Sequence, residues 1–386
     1  MTIGDNPKLK AILERAKHRP ILPNSTNASR EVALELIESC RQGTAPIRGA
    51  LLLSIGRDDL IGQIREDLLY IAKGDSRLRI ICGVFGIGKT FLLRVLQEFA
   101  HSDGFATSFL TLSPRECPLY DIQSVYRNVV KGIRTVDCTD KPALEDILEH
   151  WAIDIRNGQT GRNLIPNVMY DLSLGYKTVL TEYYNAINSN KPGTTTLALR
   201  WIQGETSIRE AKQLGASTNL SNTNALAMLG NLTKMLRFIG SRGLVILLDE
   251  VDSITTLERE QQKADAIKNL LNLTDATRST PNSYFVYATT PAFIGEASSD
   301  YDDSLKHIST LKQLSHTELI ELGKEIRDLH FRAYSWERKD ITSSSIRDFV
   351  RRHTLNSLST PRSFVRTLVA ALDICEEHDE IRFNQI

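Results

Sequence analysis

The stretch Gly83-Val-Phe-Gly86-Ile-Gly88-Lys89-Thr90 leaves this chain few options for folding. It has the spacing G-x-x-x-x-G-K-[ST], follows the apolar run Leu78 to Cys82, and opens the apolar-periodic segment Phe91 to Leu96. A buried strand therefore enters the loop and a sheet-packed helix leaves it. Glycines at 83, 86 and 88 permit backbone angles that a Cβ opposes, so successive N–H groups can turn inward at a helix N-terminus and surround a phosphate. Lys89 is then set for the β/γ-phosphates and the Thr90 hydroxyl for Mg²⁺, with Ile87 and Phe91 completing the nucleotide-binding stretch. The plain alternative is a Gly-rich turn before a buried helix.

A second motif answers the first. Gly243-Leu-Val-Ile-Leu-Leu-Asp249-Glu250 reads as a strand buried on both faces that ends in an acidic pair. Asp249 is placed for Mg²⁺ through water, and Glu250 for polarising an attacking water. A further strand, Tyr284 to Ala288, ends in Thr289-Thr290-Pro291. If that strand lies between the loop strand and the acidic strand, Thr289 and Thr290 reach the γ-phosphate or its water. Otherwise they cap a turn ahead of proline.

Composition narrows the rest. With 386 residues, two or three domains fit, or one nucleotide-binding core with a lid. Lys+Arg and Asp+Glu both total 47, so no global field draws the chain to nucleic acid or an acidic membrane. Five cysteines lie scattered without C-x-x-C spacing, which points away from a zinc site or disulfide framework and toward a reducing cytoplasm. No apolar run approaches the roughly eighteen residues of a membrane span. The histidines include no H-E-x-x-H, and no Ser-His-Asp set is visible.

The reading divides the chain into three parts. Residues 1–45 form an N-terminal helical extension and linker, with a short helix over 7–18, a Pro- and Asn-containing linker over 19–29, and an amphipathic helix from Arg30 closed by Gly43. Residues 46–314 form the nucleotide-binding core. Within it, Leu51 to Leu60 is an apolar stretch that turns at Gly56 into a helix; in the similar replication-initiator ATPases such a segment lies over the nucleotide base, which implies nucleotide binding for Arg57, and the alternative is a plain structural turn. A second strand spans Phe105 to Leu112. A long helical insertion over about 141–229 carries Trp151, Tyr170, Tyr183, Tyr184 and Trp201, which pack a core or stack on bases. Ile308 to Leu314 is the last strand. Residues 315–386 form a helical lid that starts with the capping-box spacing Ser315-His-Thr-Glu318. Its third helix starts at Thr360-Pro361-Arg362, with threonine as N-cap and proline first in the helix. There a cation gains nothing from the helix dipole, so Arg362 is assigned to a phosphate, with an ordinary surface arginine as the alternative. Arg347, Arg351, Arg352 and Arg366 make a local basic strip, either a solvated helix face or a DNA contact.

In this order of parts the chain resembles an AAA+ ATPase of the additional-strand class. More narrowly, it resembles the BrxD-like ATP-binding proteins of BREX-type bacterial phage-defence systems. The resemblance is carried by Ser54-Ile-Gly-Arg57, Gly83 to Thr90, Leu112-Ser-Pro-Arg115 with Pro118-Leu-Tyr-Asp121, Arg200-Trp-Ile-Gln-Gly-Glu205, Leu247-Leu-Asp-Glu250, Thr290-Pro-Ala-Phe293, Leu329-His-Phe-Arg-Ala-Tyr334 and Thr360-Pro-Arg362. It implies an α/β P-loop core with a parallel sheet, a large helical insertion and a C-terminal helical lid. It further implies an ATPase using ATP and Mg²⁺, with other defence proteins, DNA or further copies of itself as partners. Mg·ATP is expected between core and lid, with Lys89, Glu250, Thr290 and Arg362 as the catalytic residues. The chain departs from the pattern between Tyr301 and Ile308, where Lys306 and His307 stand in place of an arginine finger. Lysine is a poorer bidentate partner for phosphate, so either another arginine acts or hydrolysis is slow. Two other readings stay open: an ATP-held switch that barely hydrolyses, and a DNA-loading module like the replication initiators. The chain ends at Ile386, which leaves no room for a winged-helix domain after the lid.

Overall fold

A computed structural model describes residues 28–139, 142–157, 171–297, 308–355 and 360–386. The expected helix over 7–18, most of the linker that follows it, Tyr170, and Lys306 with His307 lie outside the described residues.

The first described helix is α1 (Arg30–Gln42), followed by a 3-10 turn (Ala50–Leu53) and α2 (Asp58–Ala72). Strands and helices then alternate through β1 (Arg77–Cys82), α3 (Lys89–Ser102), β2 (Ala106–Thr111), α4 (Ile122–Lys131) and the short β3 (Ile133–Arg134). A helical stretch follows: α5 (Leu144–Arg156), α6 (Leu174–Asn188), α7 (Pro192–Ile202), α8 (Ile208–Gln213) and α9 (Ala225–Ile239). The sheet resumes with β4 (Leu244–Asp249), α10 (Glu260–Ser279), β5 (Ser283–Thr289), α11 (Pro291–Ala297) and β6 (Ile308–Thr310). The described chain closes with α12 (His316–Tyr334), α13 (Ser343–Leu355) and α14 (Pro361–Glu377).

The helix ends follow their capping residues. Ser29 accepts from the Val32 N–H at the start of α1, and Gly43 in the left-handed region (φ 69°) ends it. Ser315 and Glu318 form the expected capping box on α12. At α14 the Thr360 hydroxyl accepts from Ser363 N–H at 3.3 Å, with Pro361 first in the helix.

The contacts divide the described residues into two units, the first drawn from Met1–Asp67, Gly83–Phe99 and Thr310–Ile386, the second from Leu68–Cys82 and Ala100–Ser309. The second unit holds a six-stranded sheet in the order β3-β2-β4-β5-β1-β6. β2, β4, β5 and β1 run parallel to one another, and β3 pairs antiparallel with β2 at the edge. Every residue of β4 and β5 is buried, which is why both read as unbroken apolar runs rather than as alternation. The helical stretch packs one core with this sheet. Trp151, Tyr183 and Trp201 are buried in that core, with Tyr184 partly buried against it, so packing is the use these rings find. The Arg200-to-Glu205 motif is scaffolding of this region: Arg200 binds the Glu205 carbonyl and the Glu210 carboxylate, and the Trp201 indole N–H donates to Thr218 O at 2.7 Å.

The first unit has its own core, in which α1 packs with α12, α13 and α14 through Leu36, Ile37, Leu322, Ile326, Phe349, Phe364 and Leu368. Amphipathic spacing does not announce this grouping, because it shows that a helix has an apolar face but not which helix covers it. The Leu329-to-Tyr334 motif belongs here. His330, buried on α12, lies 2.8 Å from the Asp373 carboxylate of α14 through Nε2, and its Nδ1 accepts from the Trp336 indole N–H at 2.9 Å. The proton on the histidine therefore sits at Nε2. Arg41 of α1 grips the same carboxylate with two N–H groups, at 2.8 and 2.9 Å, and donates to the Tyr334 hydroxyl at 2.7 Å. Beyond β6 the expected strand stops at Thr310, and Leu311 is buried instead.

Candidate functional site

In the first unit, the structure gathers Arg57, the glycine loop and Arg362. Gly83 is required by crowding: a Cβ there would stand 2.6 Å from the Ile87 side chain. Gly86 adopts φ 78° with the Thr360 hydroxyl 3.0 Å from where its Cβ would be, so two independent reasons select glycine. Helix α3 starts at Lys89, so the N–H groups of Lys89 and Thr90 have no acceptor within the helix. The Lys89 ammonium donates to the carbonyls of Gly83 at 2.9 Å and Val84 at 3.4 Å, which holds it over its own loop. Thr90 is exposed. Ile87 is buried and Phe91 packs partly buried against the unit's core, so these two offer a ligand their backbone rather than their side chains.

Arg57 does not reach out to solvent. Its guanidinium donates to Ile87 O at 3.1 Å and to Lys312 O at 2.8 Å, strapping the loop to the segment after β6. Burial lowers its pKa, partly opposed by the nearby Glu318 carboxylate. On α14, the Arg362 N–H donates to Gly86 O at 3.3 Å and its guanidinium lies over the Phe85 ring, 5.1 Å from the centroid. The start of α14 thus rests directly on the phosphate loop.

In the second unit, the structure gathers Asp249, Glu250, Thr289 and Thr290. β5 lies between β1 and β4, the intervening position on which the assignment of its threonines depended. Cys82 pairs in register with Thr289, and Leu248 with Tyr287, so the carboxyl ends of the three parallel strands emerge on one side of the sheet. From Cys82 the chain passes straight into Gly83. Two strand spacings put the tip of β4 about 10 Å across the sheet from that of β1. Asp249 is buried and accepts from the Glu250 N–H at 3.0 Å. Glu250 is exposed and left-handed, at φ 56° and ψ 43°. The Thr289 hydroxyl is buried and has no hydrogen-bond partner among the described residues, whereas Thr290, half-buried, caps α11 through its carbonyl to Ile294 N–H at 3.3 Å.

In the first unit, the amide donors at the N-terminus of α3, the Lys89 ammonium turned onto loop carbonyls and the exposed Thr90 hydroxyl suit the phosphates of a magnesium-bound nucleoside triphosphate. In the second, the buried Thr289 hydroxyl, without a hydrogen-bond partner among the described residues, is a polar group of the kind a ligand satisfies.

Two residues escape sequence reading. Glu98 on α3 accepts from Ala50 N–H at 2.9 Å and Leu51 N–H at 3.0 Å, tying the helix behind the loop to the 3-10 turn before Arg57. Burial pushes its carboxyl up, against the N–H groups of Leu51, Ala50 and Gly49 that pull it down. No local pattern marks it, since its partners lie far upstream. Phe85 had a signal, being a large apolar residue in a loop that faces solvent.

A glycine loop between a parallel strand and a helix N-terminus, with an acidic pair one strand removed, defines a P-loop nucleotide-binding protein of the additional-strand class, to which the AAA+ ATPases belong. The chain belongs to the family described as BREX system ATP-binding protein BrxC/D, whose model matches residues 28–299 and 295–386. An ATP-binding role in a phage-defence system goes with that membership. The chain is also similar to the solved structure of the Aeropyrum pernix ORC2 protein in ADPNP–ADP complexes, with 15% identity and a TM-score of 0.39 over 82% of this chain and 68% of that one. No curated protein matches it. Among the described residues, no helix is long and apolar enough to cross a membrane.

Proposed function

We propose that this chain is a Mg²⁺-dependent ATPase whose nucleotide state governs its engagement of other defence proteins or of DNA. Mg·ATP supplies the transferable phosphoryl group and a divalent charge that offsets its oxygens. The loop N–H groups and Lys89 hold the β/γ-phosphates. Thr90 ligates the metal directly and Asp249 through water. Glu250 orients water and takes its proton. Thr289 and Thr290 fix the γ-phosphate end of the reaction from the tip of β5, and Arg362 meets the charge from α14. Arg57, occupied by two carbonyls, acts on the loop rather than on the nucleotide.

The observation that carries hydrolysis over simple retention is Glu250. An exposed glutamate in left-handed geometry directly after a buried aspartate is a strained arrangement of the kind that persists where a side chain has to be aimed at a reacting group. Substituting Glu250→Gln is expected to leave ATP affinity within about two-fold and to lower phosphate release at least about 100-fold, given what a positioned base contributes. Phosphate release at the wild-type rate would refute the assignment.

A second reading, an ATP-held switch with very slow turnover, draws on the absence of arginine between Tyr301 and Ile308. Single-turnover measurement with and without DNA and partner proteins separates the two. Support for a DNA contact is local: Arg347, Arg351 and Arg366 are exposed, while Arg352 donates to Asn384 O at 3.0 Å.

A further inference from the structure

The glycine loop carries an aromatic ring that neither its turn nor its phosphate chemistry requires. Phe85 is 74% exposed, the ring lying out from a loop otherwise built of glycine and small apolar residues. What it touches is Arg362, whose guanidinium sits 5.1 Å above the ring centroid. Arg362 occupies the first turn of α14, where the helix dipole disfavours a cation. Among the described residues it has no carboxylate partner. Backbone contact holds the same place: Arg362 N–H donates to Gly86 O at 3.3 Å, and the Thr360 hydroxyl abuts Gly86. A guanidinium with one face against a ring, its Nε beside Gly43 and no carboxylate partner among the described residues is ready to receive an anion at the loop.

We propose that Phe85 is a positioning residue that holds Arg362 over the phosphate loop and thereby sets the preference for nucleoside triphosphate over diphosphate. This rests on the ATP reading above and adds to it the residue that fixes one phosphate-binding group. The ring restricts a long side chain that would otherwise lose rotamer freedom on binding, so less entropy is lost when the phosphate arrives. The effect falls on the terminal phosphate, because a diphosphate is gripped by the loop amides and Lys89 whether or not Arg362 is in place.

The test is equilibrium binding of ATP and of ADP, each with Mg²⁺, to the full chain and to Phe85→Ala, Phe85→Trp, Arg362→Ala and the Phe85→Ala/Arg362→Ala double variant. Phe85→Ala is expected to weaken ATP about two- to five-fold, the range of an exposed cation–ring contact, and to leave ADP unchanged. Phe85→Trp should restore wild-type ATP affinity, and the double variant should bind ATP no more weakly than Arg362→Ala alone. ATP and ADP affinities that fall together in Phe85→Ala, or that do not change, would overturn the proposal. So would additive losses in the double variant. A wild-type chain that binds neither nucleotide would instead overturn the ATP reading itself, and this inference with it.

Discussion

Glu250 and Thr289 each hold a position that costs the folded protein something. The left-handed backbone at Glu250 disfavours a residue with a Cβ by about 1–2 kcal/mol, and the buried, unpartnered hydroxyl of Thr289 costs about 1–3 kcal/mol of desolvation. Such costs survive where a ligand offsets them. Valine nearly matches threonine in shape while removing the hydroxyl, so Thr289→Val is expected to raise stability by about 1 kcal/mol and to lower ATP turnover at least about ten-fold. A denaturant melt read beside steady-state phosphate release checks both halves. If stability rises and turnover holds, the hydroxyl has no part in the chemistry. The residue types at these positions were legible from motif spacing alone, but their strain was not. Backbone angle and burial depend on the strands that flank them.

At the scale of elements, the join between α1, α12 and α14 turns on one carboxylate. Burial pushes the Asp373 carboxyl up, but the hydrogen bonds from Arg41 and His330 outweigh it and hold it at about 2, below the ordinary value of 3.8. A carboxylate lowered in the folded state stabilises fully above its unfolded value, and that contribution is lost as pH falls through the folded one. Stability should therefore drop between about pH 4 and pH 2, with Asp373→Asn showing a shallower decline across that window. At neutral pH the same substitution should cost about 1–3 kcal/mol, since Arg41 and His330 would keep only a neutral partner. Equal acid slopes in the two proteins would remove Asp373 from the account. The helices themselves are readable from periodicity, caps and the Thr360-Pro361 start. Their partnership is not, because an apolar stripe specifies only that something covers it. Asp373 and Arg41 are too distant in sequence for any local spacing to pair them.

At the scale of the molecule, the two contact units each bury a separate core, one around the sheet and one among α1, α12, α13 and α14. Family membership covers both, which is consistent with neither being an accidental appendage. If partner engagement follows the nucleotide, the protein should change its association on binding ATP. Mass measurement of the purified chain with ATP, with ADP and with neither is expected to reveal a larger assembly with ATP alone. A single unchanged mass in all three conditions would remove self-association from the proposal and leave other proteins or DNA as the partners.

The amino-acid sequence by itself determined the local grammar: a strand that must be buried, a glycine loop that must turn its amides inward, a helix starting at Lys89, and an acidic pair ending a second buried strand. Each follows from residues within a few positions of one another, where sterics and periodicity act directly. Only the tertiary structure decided that β5 lies between β1 and β4, that α14 begins on Gly86, and that Phe85 rests beneath Arg362. Those arrangements join residues far apart in the chain, and they are settled by competition among apolar faces and strand edges that look equivalent until they pack.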